Sequence, residues 1–144
     1  MIRSLVTTIA VLWALGVSNA AVATNTFVVV NAPPGSSIDQ ASLEALLTGQ
    51  RRNWDDGDAA KVVLPSRESP NFDFVAQKLF GTSGQVMQRL WFRLVFSGRA
   101  NAPDYVNSSS DVIEAVERQA GAVGILVSDE VPNVREGLVV VELK

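Results

Sequence analysis

The sequence predicts an α/β domain in which helices pack over a largely parallel or mixed β-sheet. Short, apolar, β-branched runs alternate along the chain with segments whose apolar residues recur at helical spacing. Loops rich in glycine, proline and serine separate these runs. The chain has 144 residues, which is the size of one domain, and it shows no internal repeat, low-complexity tract or linker. We therefore expect a single compact domain with helices flanking one sheet.

The individual elements follow from the same patterns. Strands are expected where β-branched residues cluster, and helices where leucine, valine and phenylalanine recur every three or four residues. Gly81 and Gly121 each suit the end of a helix. The predicted strands are 26–30, 61–65, 123–127 and 138–143, and the predicted helices run over about 38–48, 70–80, 82–96 and 111–120, with a loop over 97–107.

Residues that favour a helix start precede three of these helices. Ser37, or its rival Asp39, can cap the first helix. Ser69 followed by Pro70 is a strong start for the second helix, because proline suits the first helical position. Thr82 predicts a capping box at the third helix. These caps place hydroxyl groups beside the N-termini of helices.

The first 23 residues have the layout of a secretory signal peptide. Arg3 gives a positive start, an uncharged and mostly apolar run follows over 5–17, and small residues mark cleavage after Ala20 or Ala23. A transmembrane anchor is the alternative, but the run is shorter than the roughly 20 residues that span a bilayer. We expect export, with 24–144 as the α/β domain and a periplasmic location in a Gram-negative cell.

Composition excludes several kinds of active site. The chain contains neither cysteine nor histidine, which excludes disulfides, thiolate or imidazole metal sites, cysteine nucleophiles and histidine-dependent triads. It has neither a Gly-x-Ser-x-Gly elbow nor a Ser-x-x-Lys pair. Twelve basic and fifteen acidic residues give a net charge of −3, so broad attraction to nucleic acid is not expected. We expect a protein that is not an enzyme, with no cofactor and no metal.

Three serine-rich loops lead into predicted helices and are candidates for a binding site. Loops at the carboxyl edge of an open α/β sheet bind ligands, and helix N-termini offer unpaired N–H groups and partial positive charge. An arginine adds a planar fork that matches an oxyanion. The candidate residues are Ser36, Ser37, Ser66, Arg67, Ser69, Ser108 and Ser109, followed by Ser110. Each serine can equally be an ordinary N-cap, and Arg67 can equally pair with Glu68 or Asp73.

Two further clusters receive a structural interpretation. Three aspartates lie in 55–58, but the further oxygen ligands and closing glutamate of a calcium loop are missing. The cluster is interpreted as a turn whose tightest point is Asp56-Gly57. Trp91, Phe92 and Phe96 are expected to pack in the core, with stacking on a sugar or a base as the alternative.

Four segments of the chain carry motifs that occur in the same order in a known protein family. The segment 38–57 combines a leucine-bearing helix with a glycine, a tryptophan and an Asp-Gly pair, and 62–70 is a strand followed by a serine-rich loop. The segment 90–103 carries Leu-Trp, then Phe-Ser-Gly, then Pro, and 121–125 reads Gly-Ala-Val-Gly-Ile. In this order they resemble the short phosphate-ABC-transporter substrate-binding-protein-like family, related to the type II periplasmic phosphate-binding proteins.

The resemblance implies a periplasmic-binding-protein-like α/β fold, here reduced to one domain, and binding of phosphate or another oxyanion for ABC-type uptake. It also implies a partner, which is an ABC transporter permease or another envelope protein. Two positions differ from the family pattern. Glu68 adds a negative charge to the loop that precedes the second helix, and Phe72 stands where the short family often has an arginine in the first turn.

Three functions therefore remain open at this point. The leading one is an exported solute-binding protein in which serine hydroxyls and helix N-termini bind the oxyanion and Arg67 balances its charge. The second is an accessory or interaction protein that kept the fold and lost the ligand, which Glu68, Phe72 and the short chain favour. The third is a hydrolase built from serine and carboxylates. The sequence does not indicate an oligomeric state.

Overall fold

Five strands and four helices alternate in residues 25–144, the part of the chain that the computed structural model describes. The strands are β1 (Asn25–Val30), β2 (Lys61–Pro65), β3 (Asp104–Val106), β4 (Ala122–Ser128) and β5 (Val139–Leu143). The helices are α1 (Gln40–Leu47), α2 (Phe72–Phe80), α3 (Gly84–Phe96) and α4 (Ser109–Arg118). None of these four helices is long and apolar enough to cross a membrane. The predicted signal peptide lies outside the described residues.

The strands form one mixed sheet in the order β3-β2-β4-β1-β5. β2 is parallel to both β3 and β4, whereas β1 is antiparallel to both β4 and β5. The prediction of an α/β domain with a mixed sheet is thus confirmed, with a parallel core of three strands. The carboxyl ends of β2, β3 and β4 point to the same edge of the sheet.

Apolar side chains cover both faces of the sheet. Successive residues of a strand point to opposite sides, so each apolar strand contributes to both faces. In β1, Val28 and Val30 belong to the core that α1, α2 and α3 cover, whereas Phe27 and Val29 belong to the core that α4 covers. Both faces are therefore dry, which explains why β1 and β4 read as continuous apolar runs rather than alternating ones. The result is three layers, with three helices on one face and α4 on the other.

The prediction of a loop over 97–107 is wrong in one respect, because β3 lies within it. β3 has only three residues, Asp104–Val106, and they pair with β2 at the edge of the sheet. Asp104 and Tyr105 are exposed. A run that is short, polar and solvent-facing carries no period-2 signal, so its strand identity comes from the pairing with β2.

The helix starts confirm one of the two caps proposed for α1 and differ from the prediction at α2 and α3. Asp39, and not Ser37, caps α1 by accepting a hydrogen bond from the Ser42 N–H at 2.8 Å. Ser83, and not Thr82, caps α3. α2 begins at Phe72 rather than Pro70, because the residues from 67 to 71 form turns before the helix. Gly81 is confirmed as the stop of α2, where it adopts a positive φ, whereas α4 ends at Arg118 with Gln119 as its C-cap, before the positive-φ Gly121.

The aromatic residues of α3 do not share one environment. The expected core packing is confirmed for Trp91 and is wrong for Phe92 and Phe96. Trp91 is 1% exposed and packs against the sheet, but Phe92 is 52% and Phe96 is 86% exposed. The periodicity of α3 is ambiguous because apolar residues occur around most of the helix. Only the position of the helix on the sheet decides that Met87 and Trp91 face inward.

Candidate functional site

The carboxyl ends of β2 and β3 lie side by side at one edge of the sheet, and we refer to this position as the crevice. The two strands are adjacent and parallel, and their last residues, Pro65 and Val106, are paired. From β2 the chain turns to α2 on one face, and from β3 it turns to α4 on the other face. Adjacent parallel strands whose connections leave in opposite directions mark the usual ligand position in open α/β sheets.

Polar side chains from both outgoing loops meet at this crevice. The Ser66 N–H donates to the Val106 carbonyl at 2.8 Å, and the Ser66 hydroxyl contacts Oδ1 of Asn107. The Asn71 amide lies 3.5 Å from the Ser109 hydroxyl. We call the group the edge cluster; its members are Ser66, Ser69, Asn71, Asn107, Ser108 and Ser109. Four of the seven serine and arginine candidates from the sequence therefore lie together here.

The N-terminus of α4 enters the edge cluster. The Ser108 hydroxyl caps this helix by accepting from the Asp111 N–H at 3.1 Å. The Ser109 hydroxyl donates to the Val127 carbonyl at 3.1 Å, which fixes the first turn of α4 to the end of β4. Both hydroxyls thus have structural partners, while the first amides of α4 supply donors and partial positive charge to the crevice.

Ser69 holds the β2–α2 loop in shape. It is 6% exposed, its hydroxyl accepts from the Asn71 N–H at 3.2 Å, and its N–H donates to the Ser66 carbonyl at 3.0 Å. The expected role of Ser69 as N-cap is replaced by this turn just before α2. Its buried hydroxyl therefore shapes the loop rather than facing solvent.

Glu68 places a carboxylate beside Ser66. The nearby donors, first its own N–H and then the Ser66 hydroxyl, lower the pKa of Glu68, with a smaller effect of Arg67. Ser66 has one hydroxyl proton, so it cannot donate to Glu68 and to Asn107 Oδ1 together. In this structure the Ser66 hydroxyl donates to Asn107 Oδ1, so Glu68 and Asn107 compete for the same proton.

The position of Glu68 beside Ser66 does not make Ser66 a nucleophile of the hydrolase type. A general base works best with a pKa near the operating pH, whereas the pKa of Glu68 is lowered from an already acidic value. Glu68 is also exposed to solvent. The carboxylate therefore acts as a hydrogen-bond acceptor for Ser66 and adds negative charge to the mouth of the crevice.

Arg67 lies beside the edge cluster and is exposed. Neither of the alternative partners that the sequence offered pairs with it, since no carboxylate of residues 25–144 forms an ion pair with its guanidinium. Asp73 instead accepts a hydrogen bond from the Gly84 N–H at 2.8 Å. Arg67 is thus a cation that can reach solvent next to the crevice.

Ser36 and Ser37 lie apart from the edge cluster. The Ser37 N–H donates to the Asp55 carboxylate at 3.0 Å, in the turn that precedes β2. That turn is fixed at the amino end of β4, where the Trp54 indole donates to the Gly121 carbonyl at 2.8 Å. Ser36 has a buried hydroxyl without a hydrogen-bond partner among the described residues. The first of the three serine-rich loops therefore does not reach the edge cluster, whereas the other two do.

The acidic turn at 55–58 is confirmed as a turn. The Asp58 N–H donates to the Asp56 carboxylate at 3.0 Å, and the Gly57 N–H donates to the Trp54 carbonyl at 2.9 Å. Asp55 pairs with Arg51. Within residues 25–144, no group of three or more acidic side chains could hold a metal ion.

Sequence reasoning missed two members of the edge cluster, Asn71 and Asn107. Asn107 directly follows β3, and the signal that could have found it is the position of a polar amide at the carboxyl end of a parallel strand. Without β3 this position reads as part of a loop. Asn71 was missed because the second helix was expected to begin at Pro70, which placed Asn71 inside the helix.

The fold and the edge cluster define an α/β domain with an uncharged, hydrogen-bonding cluster at a topological switch point, flanked by Arg67 and Glu68. Comparisons with protein-family models, with curated proteins and with solved structures found no match for this chain. The similarity to the phosphate-binding-protein-like family therefore rests on the sequence pattern alone.

Proposed function

We propose that this chain is an exported, non-enzymatic binding protein for phosphate or a similar small oxyanion, linked to ABC-type uptake. The observation that supports it most directly is the joining of the β2–α2 and β3–α4 loops at the crevice through Ser66, Asn71, Asn107 and Ser109. Amide and hydroxyl groups with a helix N-terminus suit an oxyanion, because such ligands need several donors. Arg67 supplies the balancing charge.

Binding requires Glu68 to turn away from Ser66. An ionised carboxylate repels an anion in the same crevice, but Glu68 is exposed and its side chain can rotate into solvent. Its departure removes a negative charge from beside the Ser66 hydroxyl. The proposal thus predicts that Glu68 weakens anion binding and that removing its charge strengthens it.

A second candidate function is an accessory or interaction protein of the envelope that has lost anion binding. The hydrogen bond of the Ser66 hydroxyl to Asn107 Oδ1 favours it, because it gives the central hydroxyl an internal partner. The hydroxyls of Ser108 and Ser109 are similarly engaged. In this case the edge cluster stabilises the loops and a protein partner replaces the solute.

Isothermal calorimetry with phosphate, and with sulfate as competitor, tests the proposal. We expect saturable binding that Arg67→Ala weakens about three- to tenfold, as loss of a charge-assisted contact does at an exposed site. Glu68→Gln should strengthen binding about threefold or more at low salt, and less at high salt. Ser37→Ala is the matched control, since Ser37 lies outside the edge cluster, and it should leave the affinity unchanged.

Thermal melts provide the second readout, because a ligand that binds only the folded state raises its stability. If saturating phosphate and sulfate give neither heat nor a shift in melting temperature, in the wild type and in Glu68→Gln alike, the oxyanion proposal fails. Co-purification of a defined envelope protein without anion binding would then support the accessory function.

A further inference from the structure

Positive charge is concentrated in the hairpin of α2 and α3 and the loop that follows it. The hairpin and this loop, residues 72–103, contain four basic residues and one acidic residue, Asp73, whereas the rest of residues 25–144 contains seven basic and fourteen acidic residues. The four cations are Lys78, Arg89, Arg93 and Arg99. In the described part of the chain none of them takes part in an ion pair. The molecule is therefore electrically polarised, with one basic surface on an acidic body.

The same hairpin exposes large apolar side chains. Phe92 and Phe96 are 52% and 86% exposed, and their rings stack with centroids 6.1 Å apart. Phe74 of α2 is also exposed, and it lines a shallow cavity of about 230 Å³ with Gln77 and Lys78. Exposed clusters of this kind mark surfaces that interact with something other than water.

Helix geometry brings the charges and the aromatic rings onto one side. Arg89, Phe92, Arg93 and Phe96 follow the spacing i, i+3, i+4 and i+7, so they lie along one stripe of α3. Met87 and Trp91 occupy the opposite side and are buried against the sheet. α2 packs on the same face of the sheet and carries exposed Phe74 and Lys78 on the neighbouring helix of the hairpin.

We propose that this surface docks onto an anionic phospholipid membrane, with Phe92 and Phe96 entering the interface and the flanking cations contacting lipid phosphates. Aromatic and basic side chains on one helix face are the composition of interfacial helices, and each cation near an anionic surface strengthens binding about fivefold. The acidic remainder of the molecule is repelled from such a surface, so the charge distribution also orients the protein.

Two other occupants fit these observations less well. A second copy docking through the same surface would bring eight cations together with only two carboxylates, one Asp73 from each copy. A folded protein partner would need a matching pocket for the exposed ring of Phe96, which is the last residue of α3. The acyl–headgroup boundary of a membrane accepts such a ring without a preformed pocket.

The absence of cysteine makes a site-specific test possible. Phe96→Cys, labelled with an environment-sensitive dye in the full chain, is mixed with vesicles of phosphatidylcholine and phosphatidylglycerol at three to one. We expect the emission to become blue-shifted and stronger with these vesicles, and to remain unchanged with vesicles of phosphatidylcholine alone. The same dye on Val131→Cys, an exposed position between β4 and β5, should not respond. Anchoring through residues 1–24 would not produce this difference.

Charge variants in the labelled chain complete the test. Arg89→Gln with Arg93→Gln should weaken vesicle binding about tenfold or more, whereas Arg118→Gln with Arg135→Gln removes the same charge elsewhere and should change it less than about twofold. Circular dichroism confirms that each variant is folded. Equal responses at 96 and 131, equal loss in both double variants, or a response to neutral vesicles would overturn the proposal. A change in dye emission with polyglutamate or an oligonucleotide, but not with vesicles, would also overturn it. The same holds for a change that depends on protein concentration alone.

Discussion

Asp55 shows how one side chain connects two loops that are distant from the edge cluster. Its carboxylate pairs with the Arg51 guanidinium and accepts a hydrogen bond from the Ser37 N–H at 3.0 Å. Both partners favour the charged form, the arginine most, and they lower the pKa of Asp55 from 3.8 to about 2. The loop before α1 is therefore held to the turn before β2 by a charge that depends on pH.

This pKa shift predicts a pH-dependent contribution to stability. Because the pKa of Asp55 is lower in the folded state, the contribution is complete above about pH 4 and is lost as the pH falls towards about 2. The difference in melting temperature between the wild type and Asp55→Asn should therefore be largest near neutral pH and shrink over that interval. Asp58→Asn is the control, since the Asp58 side chain has no hydrogen bond or ion pair within residues 25–144. A difference for Asp55→Asn that stays constant from pH 6 to pH 2 would contradict the assignment.

At the scale of elements, α4 approaches the sheet most closely at Gly124 of β4. A Cβ atom on Gly124 would lie 2.6 Å from Cγ1 of Val112, 2.9 Å from Cγ2 of Val116 and 3.4 Å from Cβ of Val63. The helix thus fills the space that a side chain would otherwise take. Close packing of α4 also sets the position of its N-terminus at the edge cluster.

We expect Gly124→Ala to reduce the free energy of unfolding by about 1–3 kcal/mol, because the added methyl group overpacks the contact with α4. The measurement is urea denaturation of the wild type and the variant. A double-mutant cycle with Val112→Ala removes the nearest atom, so Gly124→Ala should cost less in that background. Strictly additive effects would show that the close approach at Gly124 does not limit the packing.

At the scale of the whole molecule, the strand order separates a protected centre from weaker edges. β1, β2 and β4 each pair with two neighbours, whereas β3 pairs only with β2 over three residues. Amide hydrogen exchange should therefore be slowest in β1 and β4 and about a hundredfold or more faster in β3. β5, the longer edge strand, should lie between them. Protection of β3 as strong as that of β4 would mean that the edge is covered by something that residues 25–144 do not include.

Local chemistry is sufficient to predict most of the fold. Buried β-branched runs, helical spacing and glycine stops act over a few residues, so the four longer strands and the four helices were predictable to within a few residues of their ends. Caps were harder, since Ser37 and Asp39, or Thr82 and Ser83, have similar local chemistry and differ only in the backbone path they adopt. The sequence by itself thus determined the class of the domain and the succession of its elements.

Only the tertiary structure decided which polar groups form a site. Ser66 and Asn107 are 41 residues apart, and they meet because β3 pairs with β2, a strand whose pairing no local pattern reveals. The same holds for Phe92 and Phe96, since α3 is apolar around most of its circumference and only docking on the sheet selects its inner side. The physical reason is that propensity and periodicity are properties of neighbours along the chain, whereas a crevice and an exposed surface are created by contacts between elements that are distant in sequence.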